Sequence, residues 1–124
     1  MAAGDIKGDE AVVIMVTPGE TVAKGQVIDA SANGSFYIAD DSGNGKFAVA
    51  IEAMTSGTDA RAVVWGRVEV TATSAAIHAG QAVMAASGGK VILADYGYAD
   101  EQVGMAMEAI ESAKTGTVWI GLAQ

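Results

Sequence analysis

The chain has no cysteine, one proline and one histidine among its 124 residues. Without cysteine there is no disulfide framework and no thiolate metal site, and the redox compartment leaves no trace. A lone histidine also argues against a zinc site, which takes several nitrogen or sulfur ligands. Aromatic residues are only 6 % of the chain. Basic residues are few, seven against fifteen acidic, for a net charge of −8. Nucleic-acid affinity comes largely from Lys and Arg neutralising phosphates, so this balance disfavours an internal, genome-facing role. The longest apolar run, Ala11–Val16, is too short for a membrane-spanning helix. Met1–Glu10 holds no apolar run of signal-peptide length, and a soluble chain without an export signal is the expectation.

What the chain has in abundance is glycine, sixteen residues spread along its length. Between the glycines lie short runs of Val, Ile, Ala, Met and aromatics, broken every eight to twelve residues by Gly, Asp, Asn or Ser. That rhythm predicts an all-β barrel or sandwich. Strands are expected near 11–16, 26–30, 35–39, 47–53, 62–71, 81–86, 90–94, 102–110 and 117–122. Turns are expected at Pro18-Gly19, Asn33-Gly34, 41–45 and Gly88-Gly89; the second and last suit the positive φ of tight hairpins. The alanine-rich stretch Thr73–Ala79 has room for one helical turn.

An internal repeat organises these runs. Val22–Gln26 is echoed by Ile77–Gln81, Ala30-Ser31 by Ala86-Ser87, and Ala39-Asp40 by Ala94-Asp95. Phe47–Met54 matches Val103–Ile110, and Val64-Trp65 matches Val118-Trp119. The offsets cluster at roughly 55 residues, in one order. Two similar halves, about 22–71 and 77–124, are therefore expected to pack into one domain over 11–124, since neither half buries an apolar face alone. Trp65 and Trp119 should then be equivalent, with core packing the plainer reading and a partner interface the other. Residues 1–10 lie outside the repeat. They read either as a disordered tail or as an extended arm ordered against a neighbouring subunit, anchored by Ile6 and Lys7.

Nothing in the chain assembles a catalytic constellation. His78 falls in an expected turn, distant in sequence from any acid that would orient it. Asp40–Gly45 begins like a calcium loop, but Ile51 stands where the bidentate glutamate belongs, so a solvated turn is the plainer reading. Glu52-Ala53-Met54 is similar to the hairpin of biotin and lipoyl carriers. Thr55 replaces the lysine whose amine would carry the cofactor, so no cofactor attaches there. No P-loop or dinucleotide fingerprint is present. Nothing in the pattern sets the carboxylates of Asp5, Asp9, Glu10, Asp29, Asp95 and Asp100 together for acid–base work, and they read as solvated charges. The expectation is a protein that is no enzyme and has no cofactor and no metal.

The order of motifs resembles a known family, the cement (decoration) proteins of tailed-phage capsids. It comprises a polar N-terminus and strand, the Gly-Gln turn of Val22–Val27, the strand Phe47–Ala53 and the middle strand Val64–Val70. A second Gly-Gln turn at Ala79–Val83, the segment Val103–Ala109 and the closing strand Val118–Leu122 complete it. The loops 40–45 and 94–102 are longer than the pattern leads one to expect. The resemblance implies a β-barrel-like domain on the outer capsid surface, bound to the major capsid protein, gathered as a homotrimer and stiffening the shell. It also implies no catalytic residues. Met54, Met105 and Met107 are candidates for partner contact beside Ile6 and Lys7, because Met adapts to slightly different contacts; core packing of the methionines is the plainer reading. The competing function is a glycan- or ligand-binding β module on the virion, such as a head fibre or adhesin, for which Phe36, Tyr37, Tyr96 and Tyr98 are the available aromatics.

Overall fold

The computed structural model describes residues 2–40, 46–94 and 102–121. The acidic loop 41–45, and Asp95, Tyr96, Tyr98 and Asp100, lie outside the described residues. Among these residues the chain forms nine strands and one short 3-10 turn. They are β1 Ile6–Val16, β2 Val27–Ala30, β3 Phe36–Ile38, β4 Phe47–Ala50, β5 Ala60–Thr71, β6 Ala82–Ala86, β7 Lys90–Leu93, β8 Gln102–Ala106 and β9 Thr115–Ile120. The all-β class is as expected, and every expected strand is present. Thr73–Ala79 has no helical turn; it is irregular, with Ile77 bridged to Ile110 instead.

The strands make one curled, half-barrel sheet in the order β3-β2-β4-β5-β9-β8-β6-β7, with β1 added against β5. The twelve-residue β5 is the axis. Its first half pairs with β4 through Val63 and Ala62, its second half with β9 from Gly66 to Thr71, and β1 runs antiparallel along it from Val16↔Ala60 to Ile6↔Val68. Ile6 and Lys7 sit opposite Val68 and Arg67, so the strand that orders them is β5 of their own chain. No break in secondary structure separates residue 10 from residue 11. Gly66 sits where the β1–β5 register shifts, with φ +125°; a Cβ there would lie 2.8 Å from the Ala11 Cα. Only glycine permits both the dihedral and the approach.

The same local bonds recur in both halves. Val22 bridges Met54, and Ile77 bridges Ile110. Gly25 N–H donates to Ala50 O at 2.8 Å, and Gly80 N–H to Ala106 O at 2.8 Å. The Gln26 Oε1 accepts from Ala23 N–H at 2.8 Å, and Gln81 Oε1 from His78 N–H at 2.8 Å. A single parallel bridge pins each curl: Pro18 to Phe36, which ties the end of β1 to β3, and Ala72 to Val91, which ties the end of β5 to β7. β5 thus ends one curl and begins the next.

Two buried clusters follow from this arrangement. The smaller joins Val16, Val22, Ile28, Ala48, Ala50, Met54, Ala60 and Ala62. The larger holds Val68, Val70, Ile77, Val83, Ala106, Ile110, Val118 and Ile120, and takes in Val27, Phe47, Val49 and Val63 from the first half. Every residue of β4 is buried, because its alternate side chains feed different clusters. Such a strand reads as a continuous apolar run rather than an alternation.

One sequence expectation needs correction. Trp65 and Trp119 are not equivalent. Ala50↔Ala62 and Val49↔Val63 in the first half correspond to Ala106↔Val118 and Met105↔Trp119 in the second. Trp119 therefore stands where the first half has Val63, and Trp65 corresponds to Gly121. The Val-Trp match is two residues out of register.

Candidate functional site

Cross-strand partners share a face of a sheet. Lys7 on β1 faces Arg67 on β5, Arg67 faces Trp119 on β9, and Trp119 faces Met105 on β8. These four side chains form one row across the sheet, on the face away from the buried Val68 and Val118. Trp65 adds to it: its ring meets Trp119 edge to face, centroids 4.9 Å apart at 87°. The Arg67 guanidinium lies 5.7 Å from the Trp119 ring centroid and donates to Glu10 Oε1 at 2.7 Å and 3.0 Å. Neither tryptophan belongs to a buried cluster; Trp65 is 39 % exposed. The row is a semi-rigid aromatic and basic patch on a strongly acidic chain.

Electrostatics around the row are ordered by hydrogen bonds to carboxylates. Glu108 accepts from the Thr117 backbone N–H at 2.8 Å; this bond, the Thr117 side chain and the charge of Lys7 hold its pKa below the usual glutamate value. Glu52 is lowered in the same way by the Arg61 backbone N–H, at 2.8 Å, and by the Arg61 side chain. Asp5 is lowered chiefly by its 2.8 Å bond from the Lys24 ammonium. Buried Glu69 accepts from the Thr117 hydroxyl. Each of these carboxylates is tied to structure. Among the described residues no group of three His, Cys, Asp or Glu side chains stands together to hold a metal ion. A shallow, open groove lined by Ala30, Ser31, Ala32 and Lys46 contains no acid–base pair.

A second surface lies along β1. Val12, Val13, Ile14 and Met15 are consecutive and all exposed, Met15 to 60 %. Among the described strands β1 pairs with β5 alone, so its outer edge carries no ladder. An apolar, uncharged strand edge is the kind of feature monomeric proteins ordinarily blunt with charge or proline. The alternation-free run 11–16 was legible as a strand. Its exposure was not, because edge position is a property of topology.

The candidate residues from sequence separate cleanly. Lys7 and Met105 lie in the row. Met107, 44 % exposed, follows on the same side, its N–H bonded to Thr117 O. Ile6 points to the opposite side, paired with Val68. Met54 is 2 % exposed inside the smaller cluster, so it packs the core and has no surface for a partner. Phe36 packs partly against that same cluster, and the ring of Tyr37 lies against Gly19, within 2.6 Å of where a Cβ would stand. The two do not form an open aromatic platform.

The family model for phage cement proteins matches residues 3–122. The chain belongs to the phage cement protein family. Its role is accordingly structural and capsid-associated, with association to the phage virion. The fold is similar to a solved structure, the N base of the head fibre gp8.5 of bacteriophage phi29. The TM-score is 0.60 at 14 % identity, over 90 % of this chain and 94 % of that one. At that identity the likeness concerns the fold. No curated protein matches the chain.

Proposed function

We propose that this cement protein binds the outer surface of the assembled head, against the major capsid protein, as a homotrimer that stabilises the shell. The observation that carries the reading is the exposed run Val12–Met15 on an unpaired strand edge. Main-chain pairing along such an edge supplies affinity, and its alternate side chains supply fit. Burying four half-exposed aliphatic side chains contributes on the order of a few kcal/mol per copy at about 25 cal/mol per Å². That is modest for one subunit and large for a lattice of subunits acting together. A ligand that binds only the assembled shell stabilises it by mass action.

The test is co-sedimentation with purified undecorated heads. Val13→Lys with Met15→Glu places opposite charges on one side of the edge strand. Its folding should be near wild type, because both positions are exposed, while retention on heads should fall at least tenfold. Retention at the wild-type level would remove the β1 edge from the contact.

A further inference from the structure

The two halves meet through a joint that is not symmetric. The tip of the second half's hairpin docks on the first half: Gln26 Nε2 donates to Gly88 O at 2.9 Å, and Gly89 N–H donates to Ala39 O at 3.1 Å. The fit is close. A Cβ on Gly89 would lie 2.7 Å from the Gln26 Cβ and 3.2 Å from the Ile38 Cγ2. Ala39, beneath the contact, is fully buried. The joint therefore has two sides, the tip at 87–89 and the receiving surface of Gln26, Ile38 and Ala39, with one hydrogen bond donated in each direction.

Each half has both sides, because the hairpins correspond in register: Ile28↔Ile38 and Ala30↔Phe36 match Val83↔Leu93 and Ala85↔Val91. The receiving surface of the second half is Gln81, Leu93 and Ala94, and no hairpin tip among the described residues docks on it. Leu93 is 38 % exposed where Ile38 is half-buried, and Ala94 is half-buried where Ala39 is covered. Gln81 is already oriented. Its Oε1 accepts from His78 N–H as the Gln26 Oε1 does from Ala23 N–H, which leaves Nε2 to donate outward. The corresponding tip of the first half, Ala32-Asn33-Gly34, is exposed, and a Cβ on Gly34 would meet no atom within 4 Å. Among the described residues, one receiving surface and one tip of the kind joined inside the chain are thus unused.

We infer that a second copy of this chain fills them: the Ala32–Gly34 tip of one molecule docks on Gln81, Leu93 and Ala94 of the next, repeating the internal joint between molecules. The contact joins two different patches, so copies add head to tail and form a ring if the rotation closes. The inference deepens the self-association in the proposed function by naming its interface. The external joint has one bond fewer than the internal one. Gly34 N–H is taken by Ser31 O at 3.0 Å within its own turn, so Asn33 C=O is what remains for Gln81.

The absence of native cysteine makes the test direct. Asn33→Cys and Leu93→Cys, which leave Gln81 in place, are made singly, mixed in equal amounts, and oxidised mildly, both free in solution and bound to heads. The expected result is a disulfide-linked pair containing one of each variant, with neither variant linking to itself. The double variant in one chain should give a covalent ladder or closed ring. Self-linkage of Asn33→Cys alone, or no linkage in either sample, overturns the inference. Gln81→Glu keeps the acceptor for His78 and deletes the outward donor. It should weaken self-association several-fold in sedimentation velocity, with unfolding unchanged; unaltered association would also count against the joint. Head binding without linkage would sink the joint and leave the shell role standing. Linkage without head binding would do the reverse.

Discussion

Met54→Ala separates the two roles a methionine in this chain could have. The Met54 side chain is 2 % exposed, among Val22, Ile28, Ala48 and Ala50. Its backbone is clamped to Val22 by two hydrogen bonds, 2.8 Å and 3.1 Å, so the site has little freedom to collapse around a lost side chain. Truncating a buried Met to Ala costs about 2–5 kcal/mol, and a rigid site belongs in the middle or upper part of that range. About 3 kcal/mol is the expectation. With a urea slope of roughly 1.5–2 kcal/mol per M for a chain of this size, the midpoint should fall by about 1.5–2 M. The edge-to-face pair Trp65 and Trp119 gives a fluorescence signal for the transition. Met107→Ala is the control; 44 % exposed, it should move stability by less than about 0.5 kcal/mol. If Met54→Ala unfolds at the wild-type midpoint yet loses affinity for heads, the core assignment of Met54 is refuted and a contact role takes its place.

Three further outcomes are expected. Gly104→Ala places a Cβ 2.0 Å from the Trp119 carbonyl oxygen, a backbone clash no rotamer relieves, and should cost about 3 kcal/mol or more in the same urea titration. Ala113 holds φ +61° in the turn where the first half has Gly57 at φ +81°; Ala113→Gly should raise stability by up to about 1 kcal/mol, read as a higher thermal midpoint. Glu52 and Glu108 have folded pKa values below their unfolded ones, so the stability they contribute is fully present above the ordinary glutamate pKa of about 4.3 and is lost as pH falls through the lowered folded values. Glu108→Gln should therefore be less stable than wild type at pH 7, and the gap should close as the solution is acidified toward pH 2; a gap that is constant with pH would refute the linkage.

Much of the architecture was legible in the chain. Glycine punctuation and apolar runs located the strands, and the paired Gly-Gln turns at Gly25 and Gly80 marked the two places where Gln side chains bind back to the preceding turn. Three things were not legible, each for a physical reason. Val12–Met15 and Phe47–Ala50 are both uninterrupted apolar runs, yet one lies on an edge and the other in the core, and only strand order separates them. The misplaced tryptophan equivalence was a shift of two residues, which keeps every side chain on its face and so leaves the alternation undisturbed. Burial of Met54 depends on its bridge to Val22, 32 residues away along the chain, a contact no local pattern encodes.

β5 belongs to both curls at once. A force that peels one half away from its support must shear hydrogen bonds along the same strand that walls the other, so load passes between the halves through backbone rather than through a flexible tether. A nick anywhere in Ala60–Thr71 would strip a wall from both halves together, and the molecule should fail as a unit rather than by shedding one lobe.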